Sequence, residues 1–327
     1  MARLYFSRTL QRLVSKSAAL DRRLRRVDAD VLQLIGKVSA ALPVERASAV
    51  GDALGRSLGP RLRQHEHVQR NLRLAFPDRD EAWVASTGRA IWGRIFATLA
   101  EYPHLPTIAG ERGEPRVEVA SHFDLGPAQR GEQRLMLVAI HQANWNVHAI
   151  TGRLAGLPVS VFFARHNNAQ VEAVVGRYRS RMPCGFIDVA DGLRGVLAAL
   201  DRGDHVGMFV DARHDRQPMV PFFGHPAPTT VWPARLALKL GLAMVPVQLE
   251  RLPAVRFRAT FHAPLTPPPD ATHPAEAAAV MTAQLNGLFE QWIEDCPEDW
   301  ICAKRRWPTE IWKRRRNELR AAGRIRI

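Results

Sequence analysis

Short apolar runs alternate with helical segments from about residue 115 to residue 294, and this alternation limits the fold more than any other feature of the chain. Short runs rich in β-branched and aromatic residues are typical of buried strands, whereas apolar residues three and four positions apart are typical of helices. The predicted strands are 117–120, 135–140, 159–163, 186–189, 206–210, 243–249 and 257–261, and the predicted helices are 144–155, 168–182, 191–202, 231–240 and 274–294. The pattern predicts an α/β fold with a mostly parallel sheet flanked by helices.

The part of the chain before this alternation is predicted to be helical. Apolar residues recur at helical spacing near the N-terminus with basic residues between them, as shown by Tyr5, Phe6, Leu10, Leu13, Leu20 and Leu24 beside Arg3, Arg8, Arg12 and Lys16. Such a basic amphipathic helix can lie in a membrane interface, and the same stripe can equally pack on the body of the protein. The predicted organisation is an N-terminal amphipathic helical region over 1–110, an α/β core over 111–303 and a basic C-terminal tail over 304–327.

The net charge of +14 is concentrated at the two ends of the chain. Residues 1–30 hold eight Arg and Lys against three Asp, and residues 304–327 hold ten against two Glu, so the body between them is nearly neutral. Basic ends suit a membrane surface, an acidic protein or nucleic acid, and simple solvated tails are an equal alternative. No secretory signal is visible and no stretch reaches the ~20 apolar residues of a spanning helix, which predicts a soluble or peripheral protein.

Cysteine usage and the common catalytic signatures exclude several classes of protein. Three cysteines, Cys184, Cys296 and Cys302, are too few and too scattered for a disulfide framework or a zinc site. The sequence has no P-loop, no G-x-S-x-G elbow, no G-x-G-x-x-G and no H-E-x-x-H. We therefore predict no metal and no cofactor.

His141 follows the apolar run 135–140, at the point where a strand ends and a helix is predicted to begin. Asn144 is a good N-cap for that helix. Ligands gather at the carboxyl ends of strands in open α/β sheets, and an imidazole there can remove a proton from a hydroxyl near neutral pH. A structural hydrogen-bonding histidine is the alternative for His141 taken alone.

Three further features carry candidate site residues. Asp211 follows the apolar strand 206–210, which places a carboxylate at the same sheet edge as His141 if the strands are parallel, or a cap if they are not. Arg177 lies in a predicted helix, where a surface role is the alternative. The segment 221–226 predicts a turn that carries Phe222, Phe223 and Gly224, with aromatic packing under a loop as the alternative. Thr230 can cap the helix near residue 232, where an anionic group could bind. We predict that these four residues bind substrate, together with Asn144 and Asp211.

Several short blocks of the sequence, taken in their order and spacing, resemble one known family. They are NLRLAFP at 71–77, the segment around His141, GR at 176–177, GMFVD at 207–211, PFFG at 221–224, ARLA at 234–237, VPV at 245–247, and PEDW at 297–300 leading to RRW at 305–307. Together they resemble the bacterial lipid A biosynthesis acyltransferases, the lauroyl- and myristoyl-transferring branch of the lysophospholipid acyltransferase superfamily. The resemblance covers about residues 54–307.

The resemblance implies transfer of a fatty acyl chain from acyl carrier protein or acyl-CoA to a hydroxyl of a lipid A-type glycolipid or a lysophospholipid. The family signature is a His followed, after four residues, by an acidic residue, which implies that His141 is the general base. It also implies that Arg177 stabilises the oxyanion and that Asp211 lies near the acceptor. Further expected partners are the acceptor lipid and an anionic membrane surface, with the protein peripheral at the cytoplasmic face of the inner membrane.

The sequence departs from that signature at Asn146, which occupies the position of the acidic residue. An amide can hydrogen-bond an imidazole but cannot stabilise its charge, and the Asp-to-Asn change in a serine protease triad costs about 10⁴ in rate. Three explanations remain open: a slow enzyme that uses Asn146 as a neutral orienter, a replacement carboxylate such as Asp211, or a non-catalytic binder of lipid or carrier protein. On a helix His148 points away from Asn146, so we predict a structural role for it. A nucleic-acid binder is suggested by charge alone and is not expected.

Overall fold

The computed structural model describes residues 18–111, 113–213, 215–269, 271 and 273–323. The N-terminal part of this chain is helical, as predicted, and its helices are α1 (Ala18–Ala40), α2 (Val44–Leu58), α3 (His65–Ala75), α4 (Glu81–Glu101) and the short α5 (Leu105–Ile108). Pro43 immediately precedes α2 and separates it from α1, because a proline cannot continue a helix. Asp80 caps α4, where its side chain accepts a hydrogen bond of 2.7 Å from the backbone N–H of Trp83.

Most of the predicted apolar stripe near the N-terminus lies outside the described residues. Only Leu24 among its members has a described side chain, and it is half-buried on α1. No described helix is both long enough and apolar enough to cross a lipid bilayer.

Seven strands form the central sheet, and every strand predicted from the sequence is present. They are β1 (Val117–Ser121), β2 (Leu135–Ala139), β3 (Val159–Phe163), β4 (Gly185–Asp188), β5 (His205–Phe209), β8 (Ala243–Leu252) and β9 (Arg256–Phe261). Their order across the sheet is β1-β9-β8-β2-β5-β3-β4. All neighbours pair in parallel except β8 with β9, so the prediction of a mostly parallel α/β sheet is confirmed.

A separate antiparallel hairpin, β6 (Met219–Phe222) and β7 (His225–Pro228), was not predicted as strands. Prolines in both strands hide the usual strand signal, since proline cannot donate to a ladder and is confined to edges. The predicted turn is present between the strands. Its two central residues, Phe223 and Gly224, have φ angles of 48° and 67°, the left-handed conformation that tight two-residue hairpins require.

Helices cover both the sheet and the hairpin. They are α6 (Gly126–Gln129), α7 (His148–Leu154), α8 (Ala169–Arg179), α9 (Gly192–Asp201), α10 (Trp232–Leu240), α11 (Pro274–Asp295) and α12 (Thr309–Ala321). The α12 helix lies within the predicted basic tail, and it packs through the buried side chains of Trp312 and Leu319. Arg70 and Arg73 of α3 stack on the Trp312 ring, so this part of the predicted tail is fastened to the N-terminal helices.

Small residues allow α2 and α4 to pack with their backbones close together. Gly51 and Gly55 of α2 and the following Gly59 all face α4. A Cβ on Gly55 would lie 2.2 Å from the carbonyl oxygen of Trp92, a distance that only backbone movement can relieve. The approach of the two helices therefore depends on the absence of side chains at these positions.

We expect Gly55→Ala to lower the free energy of unfolding by about 1–3 kcal/mol, because the added methyl group overpacks the α2–α4 contact. Urea denaturation of the purified protein measures this change. The matched control is Gly287→Ala in α11, where nothing lies within 4 Å of the added Cβ. The control should be neutral or stabilising by up to about 1 kcal/mol, and equal behaviour of the two variants would contradict the close-packing argument.

Candidate active site

His141 and Asp211 come together because their strands are adjacent, parallel and in register. Ala139 of β2 pairs with Phe209 of β5, and the N–H of Val210 extends the ladder by donating to the carbonyl of Ala139 at 3.0 Å. Each site residue lies two positions beyond this last pair, on the same side of the sheet. The His141 Nδ1 and Asp211 Oδ1 atoms are 2.7 Å apart.

The environment of this pair favours an ionised carboxylate beside a half-exposed imidazole. The Asp211 side chain is 10% exposed and that of His141 is 35% exposed. Burial by itself raises the pKa of Asp211, but the charge and hydrogen bonds of His141 outweigh it, so the net pKa is lowered. When the imidazole is neutral, the ionised carboxylate accepts a hydrogen bond from its Nδ1–H, and Nε2 is then the nitrogen that can take a proton.

Two aromatic side chains pack against the His141 imidazole. The His141 ring stacks on Phe209 with 4.6 Å between ring centroids, and Trp145 contacts it edge-on at 6.1 Å. His148 lies behind Phe209, and burial lowers its pKa to about 3, which keeps it neutral. Among the described contacts His148 makes no hydrogen bond to His141, and its structural role stays a prediction.

The loop from His141 to Asn144 is fixed by hydrogen bonds with two distant segments. The N–H of Ile301 donates to the carbonyl of His141 at 2.9 Å, and the N–H of Ala143 donates to the carbonyl of Asp299 at 3.0 Å. On the other side, the Thr98 hydroxyl of α4 donates to the carbonyl of Ala143 at 3.1 Å. Ala143 has a φ of 51°, a strained conformation for a residue with a side chain, and these contacts hold it there.

A buried ion pair anchors the side chain of Asn144. Glu101, at the end of α4, is 0% exposed and pairs with Arg251 of β8 at 2.6 and 2.9 Å. Burial lowers the pKa of Arg251, but the charge and hydrogen bonds of Glu101 outweigh this and raise it overall. The Asn144 Nδ2 donates to Glu101 at 2.8 Å, and the Ser48 hydroxyl donates to the same carboxylate at 2.6 Å.

This network determines which residue type fits at position 146. Because Asn144 donates its amide to Glu101, its Oδ1 atom must point toward Asn146, where it accepts from the backbone N–H at 3.1 Å. The same Oδ1 accepts from the Asn146 Nδ2, also at 3.1 Å. The Oδ1 atom of Asn144 therefore requires a hydrogen-bond donor on the side chain of residue 146. An amide supplies this donor, whereas a carboxylate would place a second acceptor against Oδ1. Asn144 also caps the helical turn at 145–147, close to the predicted helix start.

Arg177 lies away from this pair in the described contacts. It is exposed on α8, and its guanidinium makes no hydrogen bond or ion pair to His141 or Asp211 within the part of the chain that the structure describes. Its backbone carbonyl accepts from the Ser180 hydroxyl. The oxyanion role of Arg177 therefore stays a prediction.

The hairpin residues predicted to bind substrate have different surroundings. Phe222 is fully buried and packs on Trp300 and Trp307. Phe223 is half-buried, and its N–H donates to Glu290 at 2.8 Å, while Gly224 is exposed at the turn. Val231 occupies the N-cap position of α10 without a side-chain cap, so the prediction that Thr230 is the cap is wrong in position. The Thr230 hydroxyl accepts from the N–H of Trp232 at 3.3 Å. Binding roles for these residues stay predictions.

Sequence reasoning missed the buried charges around the site. Glu101 and Arg251 were not singled out, because nothing local in the sequence indicates that residues 150 positions apart form a pair. Arg306 lies in the RRW segment at 305–307, for which the sequence predicts no individual role. It donates to the Pro228 carbonyl and the Thr229 hydroxyl, both at 2.6 Å, and burial lowers its pKa to about 10 while the charge of Asp211 opposes that shift.

A small apolar cavity lies next to Phe209 and His148, and neither His141 nor Asp211 lines it. Its volume is about 30 Å³, and Ala139, Val161 and Gly207 line it from the sheet. This space holds no more than about two water molecules, so a fatty acyl chain would need the lining side chains to move. Among the described residues, no group of three or more His, Cys, Asp or Glu is placed to hold a metal ion.

The family model described as bacterial lipid A biosynthesis acyltransferase matches residues 24–309. The chain belongs to this family. The suspected resemblance is thereby confirmed, and the family implies acyltransferase activity of the lipid A biosynthesis type, with an acyl donor and a lipid acceptor. No curated protein shows a significant match to the chain.

We expect Asn146→Asp to lower the free energy of unfolding by about 1–3 kcal/mol at neutral pH, because the new carboxylate faces the Oδ1 of Asn144 without a donor between them. Protonation at low pH restores a donor, so the deficit should shrink as the pH falls. Urea unfolding at several pH values measures both effects.

Asn146→Ala is the matched control, because it removes the donor without adding an acceptor. It should be less destabilising than Asn146→Asp at neutral pH, and its deficit should not change with pH in the same way. A more stable Asp variant would show that Asn144 reorients, and our account of position 146 would then be wrong.

Proposed function

We propose that this protein transfers a fatty acyl chain from acyl carrier protein, or from acyl-CoA, to a hydroxyl of a lipid A-type glycolipid or a lysophospholipid, with His141 as the general base. The single observation that carries the proposal is the 2.7 Å contact between His141 Nδ1 and Asp211 Oδ1. It gives the histidine the fixed tautomer and the charge partner that a general base needs.

The reaction is a direct displacement. The Nε2 of His141 takes the proton of the acceptor hydroxyl while the hydroxyl oxygen attacks the thioester carbonyl carbon. The tetrahedral oxyanion then collapses, the C–S bond breaks, and the departing sulfur receives the proton from the imidazolium. Asp211 stabilises the imidazolium that exists between these two steps, and no covalent enzyme intermediate is formed.

The position of Asp211 supports catalysis over the alternative of an inactive lipid or carrier-protein binder. That alternative rested on Asn146, which cannot supply charge to the imidazole. The Asn146 side chain is engaged by Asn144, whereas a carboxylate from the neighbouring strand contacts His141 directly. Of the three explanations for the departure from the family signature, the replacement carboxylate has this support.

The remaining components of the proposal rest on the family resemblance and on charge. Arg177 is proposed to stabilise the oxyanion at the thioester carbonyl. The basic ends of the chain favour an acidic carrier protein and an anionic membrane surface as partners. We therefore propose attachment at the cytoplasmic face of the inner membrane.

His141→Ala should reduce acyl transfer by about 10²–10⁴-fold, since the base is removed, and Asp211→Asn should reduce kcat in the same range without changing the apparent affinity for the acceptor. Purified protein, acyl carrier protein charged with a radiolabelled fatty acid, and a panel of glycolipid and lysophospholipid acceptors provide the assay.

The matched control is His122→Ala, an exposed histidine outside the site. It should retain full activity. If His141→Ala retains full activity, the general-base assignment is wrong. If only Asp211→Asn retains it, another group orients the imidazole. If the wild-type protein is inactive with every donor and acceptor but binds them, the binder is the correct alternative.

A further inference from the structure

Five apolar side chains of α1 form one exposed stripe. Val27, Val31, Leu34, Ile35 and Val38 are between 42% and 60% exposed. Their spacing places them on one side of the helix, over roughly 100° of its circumference. The opposite side of α1 packs on the protein and includes the buried Ala29 and Ser39. This stripe, which we call the α1 stripe, continues at helical spacing the apolar pattern predicted from the sequence over residues 5–24.

Basic side chains border the α1 stripe along one flank. By helical periodicity, Arg23, Arg26 and Lys37 lie beside the apolar residues, and all three are exposed. Asp30 is the exposed acidic residue of α1 on this flank. A helix with an apolar face and a cationic flank matches the interface of an anionic bilayer, where the apolar groups enter the acyl boundary and the cations meet lipid headgroups.

We propose that the α1 stripe and its basic flank form a docking surface for an anionic lipid bilayer. Two other helices carry exposed apolar stripes of comparable exposure, and charge distinguishes the α1 stripe from both. The first, Val50, Leu54 and Leu58 on α2, lies on a helix with balanced charges, Glu45 and Asp52 against Arg46 and Arg56. The second is formed by Val189, Leu193 and Leu197 at α9. That stripe is surrounded by balanced charges, with Asp191 and Asp201 against Arg194 and Arg202. Apolar exposure alone does not specify a partner, whereas the cationic flank of α1 specifies an anionic one.

The contacts of α1 also orient the active site relative to this surface. The Arg25 guanidinium donates to the carbonyl of Asn167 at 3.0 Å, and the Asn168 amide donates to the carbonyl of Arg25 at 2.8 Å. Both asparagines follow the carboxyl end of β3, at the sheet edge where His141 and Asp211 lie. Docking through α1 brings this edge near the bilayer, and this orientation rests on the proposed function, in which the acceptor is a membrane lipid.

The test is binding of the full-length protein to sedimentable vesicles. One set is phosphatidylcholine with about one-third phosphatidylglycerol, and the other is phosphatidylcholine alone. The apolar variant is Val31→Gln, Leu34→Gln and Val38→Gln combined, and the charge variant is Arg23→Gln, Arg26→Gln and Lys37→Gln combined. The matched control combines Val189→Gln, Leu193→Gln and Leu197→Gln. All nine positions are exposed, so circular dichroism should show native folding in each variant.

The apolar variant should bind anionic vesicles at least about tenfold more weakly than the wild type, and the charge variant should lose most of the preference for anionic vesicles and its salt dependence. The control should bind like the wild type. Equal binding by the apolar variant and the wild type would overturn the proposal. A dimer that the apolar variant converts to a monomer, with vesicle binding unchanged, would also overturn it and assign the stripe to a second copy of the chain.

Deleting residues 1–17 tests whether that segment of the chain covers the stripe. If the truncated protein binds vesicles more tightly and the apolar substitutions no longer weaken that binding, the proposal is wrong.

Failure of the docking surface and failure of the proposed function are distinguishable. With acceptor dispersed in detergent micelles, the apolar variant should keep wild-type acyl transfer, whereas His141→Ala should lose it and still bind vesicles. A protein that binds vesicles through α1 but transfers no acyl group refutes the proposed function alone.

Discussion

The parallel pairing of β2 with β5 is the constraint on which the candidate site depends. The ladder aligns Ala139 with Phe209, so the residues two positions further along, His141 and Asp211, must emerge side by side. The pairing also places Phe209 under the imidazole, at 4.6 Å between ring centroids. One backbone register thus positions the proposed base, its charge partner and the ring on which the imidazole stacks.

Buried polar groups maintain the loop that follows β2. A loop with a positive φ at Ala143 is unfavourable by itself, and hydrogen bonds from α4 and from residues 299–301 hold it in place. The Glu101–Arg251 pair adds a fixed acceptor for Asn144. Removing one partner of such a buried pair is costly because the other charge is left unpaired, so the pair specifies the geometry of the loop more than it adds net stability.

The sequence allowed the strands, the sheet type and the position of His141 to be predicted, because burial on both faces of a parallel strand requires an uninterrupted apolar run. The proximity of Asp211 to His141 was predicted on the condition that their two strands are parallel. The sequence did not show which residue partners His141, because the family signature pointed to position 146 rather than to Asp211. Glu101 and Arg251 were missed, and the β6–β7 hairpin was hidden by its prolines, because each depends on contacts between distant parts of the chain.

Because Asp211 comes from a neighbouring strand, partial unfolding would affect the proposed activity. His141 and Asp211 are 70 positions apart in the chain and meet only while β2 and β5 are paired. An acid on the same loop as the histidine would stay close to it even if that pairing opened locally. In this protein the proposed base would lose its partner as soon as the central strands separate, so the integrity of the sheet core and catalytic competence are lost in a single event.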